Sequence, residues 1–372
     1  MNGLLTGLVT VLVFGGVVLV HELGHFLAAR RCGIHVEEFS IGIGPALWSR
    51  VKNGTRYSVR LLPLGGYNLF TPLDEDEDAD AEDAERPQPK AELRPVLAYS
   101  GDAAFPAVLD GQDFEQASAW QRFFVTLSGA AMNFLLGFVV LLVVVCSQTV
   151  MGGTTVADFQ AGAKSAATGL QVGDTILQVD GKTCRSMKSL LLRFDGSEAT
   201  HRMVVLRDGE VVELPAVTVV GTVDENGVPM SATDFLVARV RKTPYRVLAE
   251  TVDLFGYYSG AILGSFGQMV TGKVGVEELS GPVGVASAVS AAVQFGWREV
   301  LSLMALLTIN LGIFNLLPVP ALDGFKLLFL AIEGLTGYEV PPKVQGAINL
   351  AGMAMLMGLM ILVTMQDIGR LL

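Results

Sequence analysis

The chain has 372 residues, of which 51% are hydrophobic and 17% charged, and its mean hydropathy is positive. That balance excludes an ordinary soluble globular protein and fits a membrane protein carrying a soluble insert. A formal net charge of -11 excludes a nucleic-acid binder, which needs clustered Lys and Arg.

The first apolar run begins at Leu4 and continues through His21-Glu22-Leu23-Gly24-His25 to Ala29. A signal peptide carries basic residues before such a run and a small-residue cleavage site after it. Here Arg30 and Arg31 come after it. Residues 1–29 therefore read as a retained transmembrane helix, since about 20 residues span a bilayer core. Residues 30–121 read as a cytoplasmic, membrane-associated β region, with short strands at 36–43, 46–51 and 57–62 and a hairpin turn at Asn53-Gly54. The leucines around Gly65-Gly66 make this region apolar enough to dip into the membrane, provided protein covers its backbone. Residues 74–85 read DEDEDADAEDAE. Such a run is ordinarily a solvated loop, with a regulatory or ion-binding role as the alternative.

A second span is expected at 122–148, a third at 291–324 and a fourth at 344–366. Residues 246–290 form an amphipathic or re-entrant linker. The insert at 150–245 has the size of one small domain. It alternates β-rich runs at 175–179, 202–206 and 211–219 with turns at Asp180-Gly181, Asp208-Gly209 and Glu225-Asn226-Gly227, and a helical stretch at 186–194 interrupts them. Arg30, Arg31, Arg50, Lys52, Arg56 and Arg60 follow the first span. The positive-inside rule then places 30–120 in the cytoplasm and the insert outside. Cys32, Cys146 and Cys184 are far apart and suggest neither a disulfide framework nor a thiolate metal site.

His21 to His25 is an HExxH. Residues four apart on a helix share a face, with Cβ atoms about 5–6 Å apart. Two such imidazoles can bind one zinc at about 2.0–2.1 Å each. Glu22 follows the first imidazole, where it can reach water at the metal and take its proton. Chance matches occur in soluble proteins. Here two of the chain's four His share one turn of a membrane helix, where ionisable groups are costly and mark function. Catalytic zinc takes three protein ligands and keeps one position open. His35 and His201 are candidates by type but lie outside the spans. Asp323 lies in NLLPVPALDG, which closes the third span. Pro318 and Pro320 end the helix there, and Gly324 permits a tight turn. A plain helix-capping Asp is the alternative. Asn315, eight residues before Asp323, can hold substrate or an oxyanion. In the second span Gly129 reads as a helix-packing residue, while Asn133 fits packing or the site.

HExxH in the first span with NxxPxPxLDG in a late span resembles the site-2 protease family, and is similar to its bacterial RseP-type regulators of envelope stress. Residues 39–45 (FSIGIGP), 62–67 (LPLGGY), Gly129 with Asn133, and 280–284 (SGPVG) match the family's other motifs, and 167–174 (ATGLQVGD) looks like a PDZ domain. The resemblance implies a polytopic α-helical membrane protein of about four transmembrane helices. It adds a membrane-associated β-hairpin region and one inserted extracytoplasmic PDZ domain. It implies an intramembrane zinc metalloendopeptidase of the bacterial inner membrane, with its active site toward the cytoplasm. His21, His25 and Asp323 become zinc ligands and Glu22 the catalytic base. Asn315, Asn133, Gly65 and Gly66 become substrate or transition-state residues. Partners would be single-span membrane proteins, such as trimmed anti-sigma factors or remnant signal peptides, whose unwound segment pairs with the β hairpin. Two departures stand out. Phe325 and Lys326 follow Asp323-Gly324 where many members have Gly and His, and the insert has room for one PDZ domain where the RseP type has two. The competing readings are a non-catalytic membrane scaffold with a PDZ adaptor and a metal-ion transporter. The intact Glu22 disfavours the first, and the absence of an internal repeat disfavours the second.

Overall fold

The computed structural model describes residues 3–70, 94–96, 105–107, 112–223, 229–273, 275 and 280–371. The acidic stretch 74–85 and the turn at 225–227 lie outside the described residues. The chain divides into two compact units, Met1–Gly137 with Ile262–Leu372, and Phe138–Ala261.

The first unit opens with α1 (Gly3–Arg31), a proline-free apolar run whose last turn carries Arg30 and Arg31, favourable at the negative end of the helix dipole. Strands β1 (Glu38–Lys52) and β2 (Thr55–Leu69) turn on Asn53 and Gly54, at φ 52° and 78°. Those left-handed values are what a two-residue hairpin turn demands. Where the sequence suggested three short strands, there are two of 15 residues each. Gly42, Gly44 and Gly65 sit at positive φ and bend them. As a result residues 38–41 of β1 pair twice, with Arg56 to Val59 and with Gly66 to Leu69. Phe26, Ala29, Ile34, Val36, Phe39 and Val125 are buried together and tie the end of α1 to the hairpin. The three-residue strands β3 (Arg94–Val96) and β4 (Phe105–Ala107) pair with each other. Helix α2 (Ala119–Ser147) follows and runs into the second unit.

The second unit is a small β domain. Strand β5 (Met151–Phe159), helix α3 (Lys164–Ala167), strands β6 (Thr175–Val179) and β7 (Lys182–Thr183) and helix α4 (Met187–Leu191) come first. Then come β8 (Ala199–Arg207), β9 (Glu210–Val219), the short pair β10 (Thr222–Val223) and β11 (Pro229–Ser231), and β12 (Phe235–Val240). The main sheet has the order β12-β5-β6-β8-β9, with β7 on β6. Its core includes Val156, Leu170, Ile176, Leu190, Met203, Val205, Val217 and Phe235. Ser186 starts α4 with a capping box shared with Ser189.

Helix α5 (Pro244–Val270) leads out of the insert. After it come α6 (Pro282–Phe295), α7 (Trp297–Phe314), α8 (Asp323–Thr336) and α9 (Pro342–Leu371). The segment expected as one span with the LDG motif at its end is thus three helices. Helix α7 stops at Phe314, and the motif opens α8. Among the described residues four helices are long and apolar enough to cross a bilayer, at Leu5–Arg31, Ala119–Ser147, Trp297–Phe314 and Pro342–Arg370. The chain is a polytopic membrane protein with a β region.

Candidate active site

One face of α1 presents His21 and His25, whose Nε2 atoms lie 3.2 Å apart. Asp323 Oδ2 lies 3.2 Å from each of them. All three residues are in the first unit. Asp323 owes its place to the break after α7. Asn315 caps that helix, Pro318 and Pro320 prevent its continuation, and Ala321 takes φ 74° before α8 begins. The left-handed residue of this turn is therefore Ala321, not Gly324. Gly324 is needed for a different reason: a Cβ there would stand 2.6 Å from the Leu316 carbonyl oxygen.

The three atoms suit a zinc ion. Tetrahedral ligation at about 2.0–2.1 Å separates ligand atoms by about 3.3–3.4 Å, close to the observed triangle. Two imidazole nitrogens and one carboxylate oxygen are also a donor set that zinc accepts. Among the described residues this is the one His/Cys/Asp/Glu group so arranged. His35 and His201 do not join it. His35 is buried, and His201 Nδ1 pairs with Asp180 in the insert at 2.7 Å.

The back of each imidazole is also held. His25 Nδ1 lies 2.9 Å from the Val125 carbonyl, so it donates there and leaves Nε2 unprotonated. His21 Nδ1 lies 3.2 Å from Asn133 Nδ2. Asn133 is fully buried, and its Oδ1 has no partner among the described residues. A half-turn of this carboxamide lets Oδ1 accept from His21 Nδ1–H, the tautomer that leaves Nε2 free for a metal. Asn133, expected to serve helix packing or the site, lies on α2 against His21. Gly129, one turn earlier on α2, abuts both imidazoles: a Cβ there would meet His21 Cε1 at 2.8 Å.

A cavity of about 490 Å³ opens onto His21, Glu22, His25 and Asp323. Gly66, Tyr67 and Asn68 of β2 form part of its wall, and Lys326 of α8 lines it too. A Cβ on Gly66 would come within 3.1 Å of Glu22 Cγ. A Cβ on Gly65, at φ 95°, would meet Ile43 at 3.9 Å. Burial and the nearby Glu38 carboxylate push the Tyr67 phenol up to about 12, so it stays neutral. Asn315 is buried, with Nδ2 3.4 Å from His21 Nε2. Sequence reasoning missed Asn68, whose Nδ2 bonds the Glu22 backbone carbonyl at 2.9 Å and Glu22 Oε2 at 2.8 Å. The available signal was period-two alternation, which puts Asn68 on the same strand face as Gly66.

The chain is similar to known proteins along nearly its whole length. The model of peptidase family M50 matches residues 9–359. Zinc metalloprotease RasP of Bacillus licheniformis is 29% identical over 97% of this chain and 98% of its own length. Zinc metalloprotease RasP of Shouchella clausii is 30% identical over 98% and 99%. The regulator of sigma-W protease RasP of Bacillus subtilis is 30% identical over 97% of each. Full-length likeness to zinc metalloproteases means that the chain belongs to peptidase family M50, the site-2 proteases, and is a zinc metalloprotease.

Proposed function

We propose that this protease cuts single-span membrane proteins within or beside their apolar segments, as a step of regulated intramembrane proteolysis. The observation that carries the reading is the His21, His25 and Asp323 triangle on helices of a membrane bundle, with Glu22 on the same cavity. His21 and His25 would hold zinc through Nε2, and Asp323 would hold it through a carboxylate oxygen. Zinc bound there supplies Lewis-acid chemistry, acidifying water and polarising the scissile carbonyl. Glu22 accepts the proton of the attacking water and returns it to the leaving amine. Asn315 Nδ2, beside the ligand triangle, donates to the oxygen on which negative charge develops. Asn133 and Val125 fix the two imidazoles from behind. Residues 66–69 of β2, with Gly65 as their bend, offer a strand to the unwound substrate.

The substrate class is of the anti-sigma-factor or remnant-signal-peptide type, and a relative named as a sigma-W regulator supports it. The Lys and Arg distribution supports an inner-membrane protein whose catalytic residues lie toward the cytoplasm. The β insert acts as an extracytoplasmic PDZ domain. The test is cleavage of a tagged single-span substrate by the purified protein in detergent, with the cut mapped by mass spectrometry. A cut in or beside the apolar segment, abolished by a chelator and restored by zinc, is expected. Cleavage confined to soluble tags, or none across several trimmed substrates, contradicts the reading.

A further inference from the structure

Asn68 stands in the last stretch of β2, where every neighbouring pair is fixed. Phe39 pairs with Asn68, Ser40 with Tyr67 and Ile41 with Gly66. Asparagine is disfavoured in strand interiors, because its side chain competes with the ladder and packs poorly. Here it also pays a second cost, since its Oδ1 is buried without a partner among the described residues. What the residue gains is made entirely by its amide nitrogen. The two N–H bonds of Nδ2 go to one residue, the carbonyl and the carboxylate of Glu22. Gly66, on the same strand face, leaves the space into which the Glu22 side chain fits.

We propose that Asn68 is the positioning residue of the proton acceptor. By bridging Glu22 Oε2 to the Glu22 backbone, it fixes a side chain with three rotatable bonds in one orientation. It also makes the two carboxylate oxygens inequivalent. Oε2 is held by Asn68, and Oε1, which bonds to no described residue, is left to the cavity that Glu22 shares with His21, His25 and Asp323. Proton transfer needs the acceptor within hydrogen-bond reach of the water it deprotonates. A Glu22 free to rotate would meet that condition only part of the time. The inference rests on the reading of Glu22 as the base.

The discriminating variants are Asn68→Asp and Asn68→Leu in the full-length protein. Aspartate has the size and shape of asparagine but no donor, so it keeps the packing and removes the bridge. Leucine removes all polarity. Neither alters the backbone pairing of β2, so KM for the tagged single-span substrate is expected within about twofold of wild type. The turnover number should fall about ten- to a hundredfold in both variants, a share of the roughly 10²–10⁴-fold that a positioned acid or base contributes. Aspartate should be at least as impaired as leucine. Zinc per chain, measured by elemental analysis of the monodisperse protein, is expected to stay at the wild-type value. Wild-type turnover in Asn68→Asp overturns the proposal and leaves Asn68 a packing residue. Loss of zinc in step with turnover overturns it too, because the residue then supports the metal site. Glu22→Gln assayed alongside separates the two readings. Full activity there sinks the base assignment itself, whereas an inactive Glu22→Gln beside an active Asn68→Asp sinks only the positioning role.

Discussion

A Cβ added at Gly129 would meet His21 and His25 together, so α2 can approach α1 at the candidate metal site only through glycine. Gly129→Ala is expected to displace the imidazoles and weaken zinc binding by at least about tenfold, the scale seen for residues supporting metal ligands. Alanine favours helix over glycine by about 1 kcal/mol, so the loss would not come from the helix itself. Gly15→Ala is the control, because no described residue lies within 4 Å of a Cβ there. Zinc per chain after gel filtration in detergent is the measurement, and equal zinc in the two variants contradicts the packing argument. At this scale the sequence was legible where spacing carried the chemistry. HExxH places two imidazoles on one helical face whatever else the chain does. Asp323 was readable as a candidate only, since nothing local separates a ligand from a capping Asp. Asn68 was not readable as a partner of Glu22, because the contact joins residues 46 positions apart through a fold not yet known.

Elements in this protein are stabilised by carboxylates that serve backbone or cationic partners. In the insert, Asp174 is buried, bonded by Arg207 at 2.6 Å and by the Gln171 N–H at 2.8 Å. Burial alone would raise the Asp174 carboxyl, but the Arg207 and Gln171 bonds outweigh it and hold it below the ordinary carboxylate range. A depressed folded-state value means stability that is fully present above the unfolded value of about 3.9 and lost as pH falls through the lower, folded one. Asp174→Asn should therefore destabilise the insert by about 1–3 kcal/mol at pH 7, and the gap from wild type should narrow as the pH falls below about 3.9 and through the lower folded value. Hydrogen exchange of β6 and β8 amides across that range reads it, and a gap that persists at low pH contradicts the assignment. In the helical unit, Asp367 of α9 accepts the N–H groups of Gly281 at 2.9 Å and Gly284 at 2.7 Å. It thereby caps α6, whose own N-cap, Gly281, has no side chain to do so. Asp367→Leu should release those amides and speed their exchange by about fivefold or more, the equivalent of about 1 kcal/mol; unchanged exchange contradicts the cap. The strand β6 was legible as a short β-rich run closed by the Asp180-Gly181 turn. The double pairing of β1 was not, because it depends on where glycine bends let one strand meet two partners.

Over the whole molecule, four apolar helices and a family match across residues 9–359 place a metalloprotease in a membrane. The net charge of -11 does not disturb that, since the spans themselves carry few charged residues. The helix count was legible because about 20 apolar residues announce a span by length alone. The end of α7 was legible from Pro318 and Pro320, whereas the break between α6 and α7 at Gly296 was not, because a lone glycine does not by itself end a helix. The chemistry depends on a few atoms in this bundle, and one substitution isolates them. Glu22→Gln keeps the size of the side chain and leaves His21, His25 and Asp323 untouched. The decisive measurement is cleavage of a tagged single-span substrate by wild type and Glu22→Gln side by side, with zinc quantified in each. Cutting by the wild type, a fall of at least about 10²-fold in the variant and equal zinc in both is the expected result. Comparable cutting by the two proteins, with zinc equally bound, would contradict Glu22 as the proton acceptor and the reaction built on it.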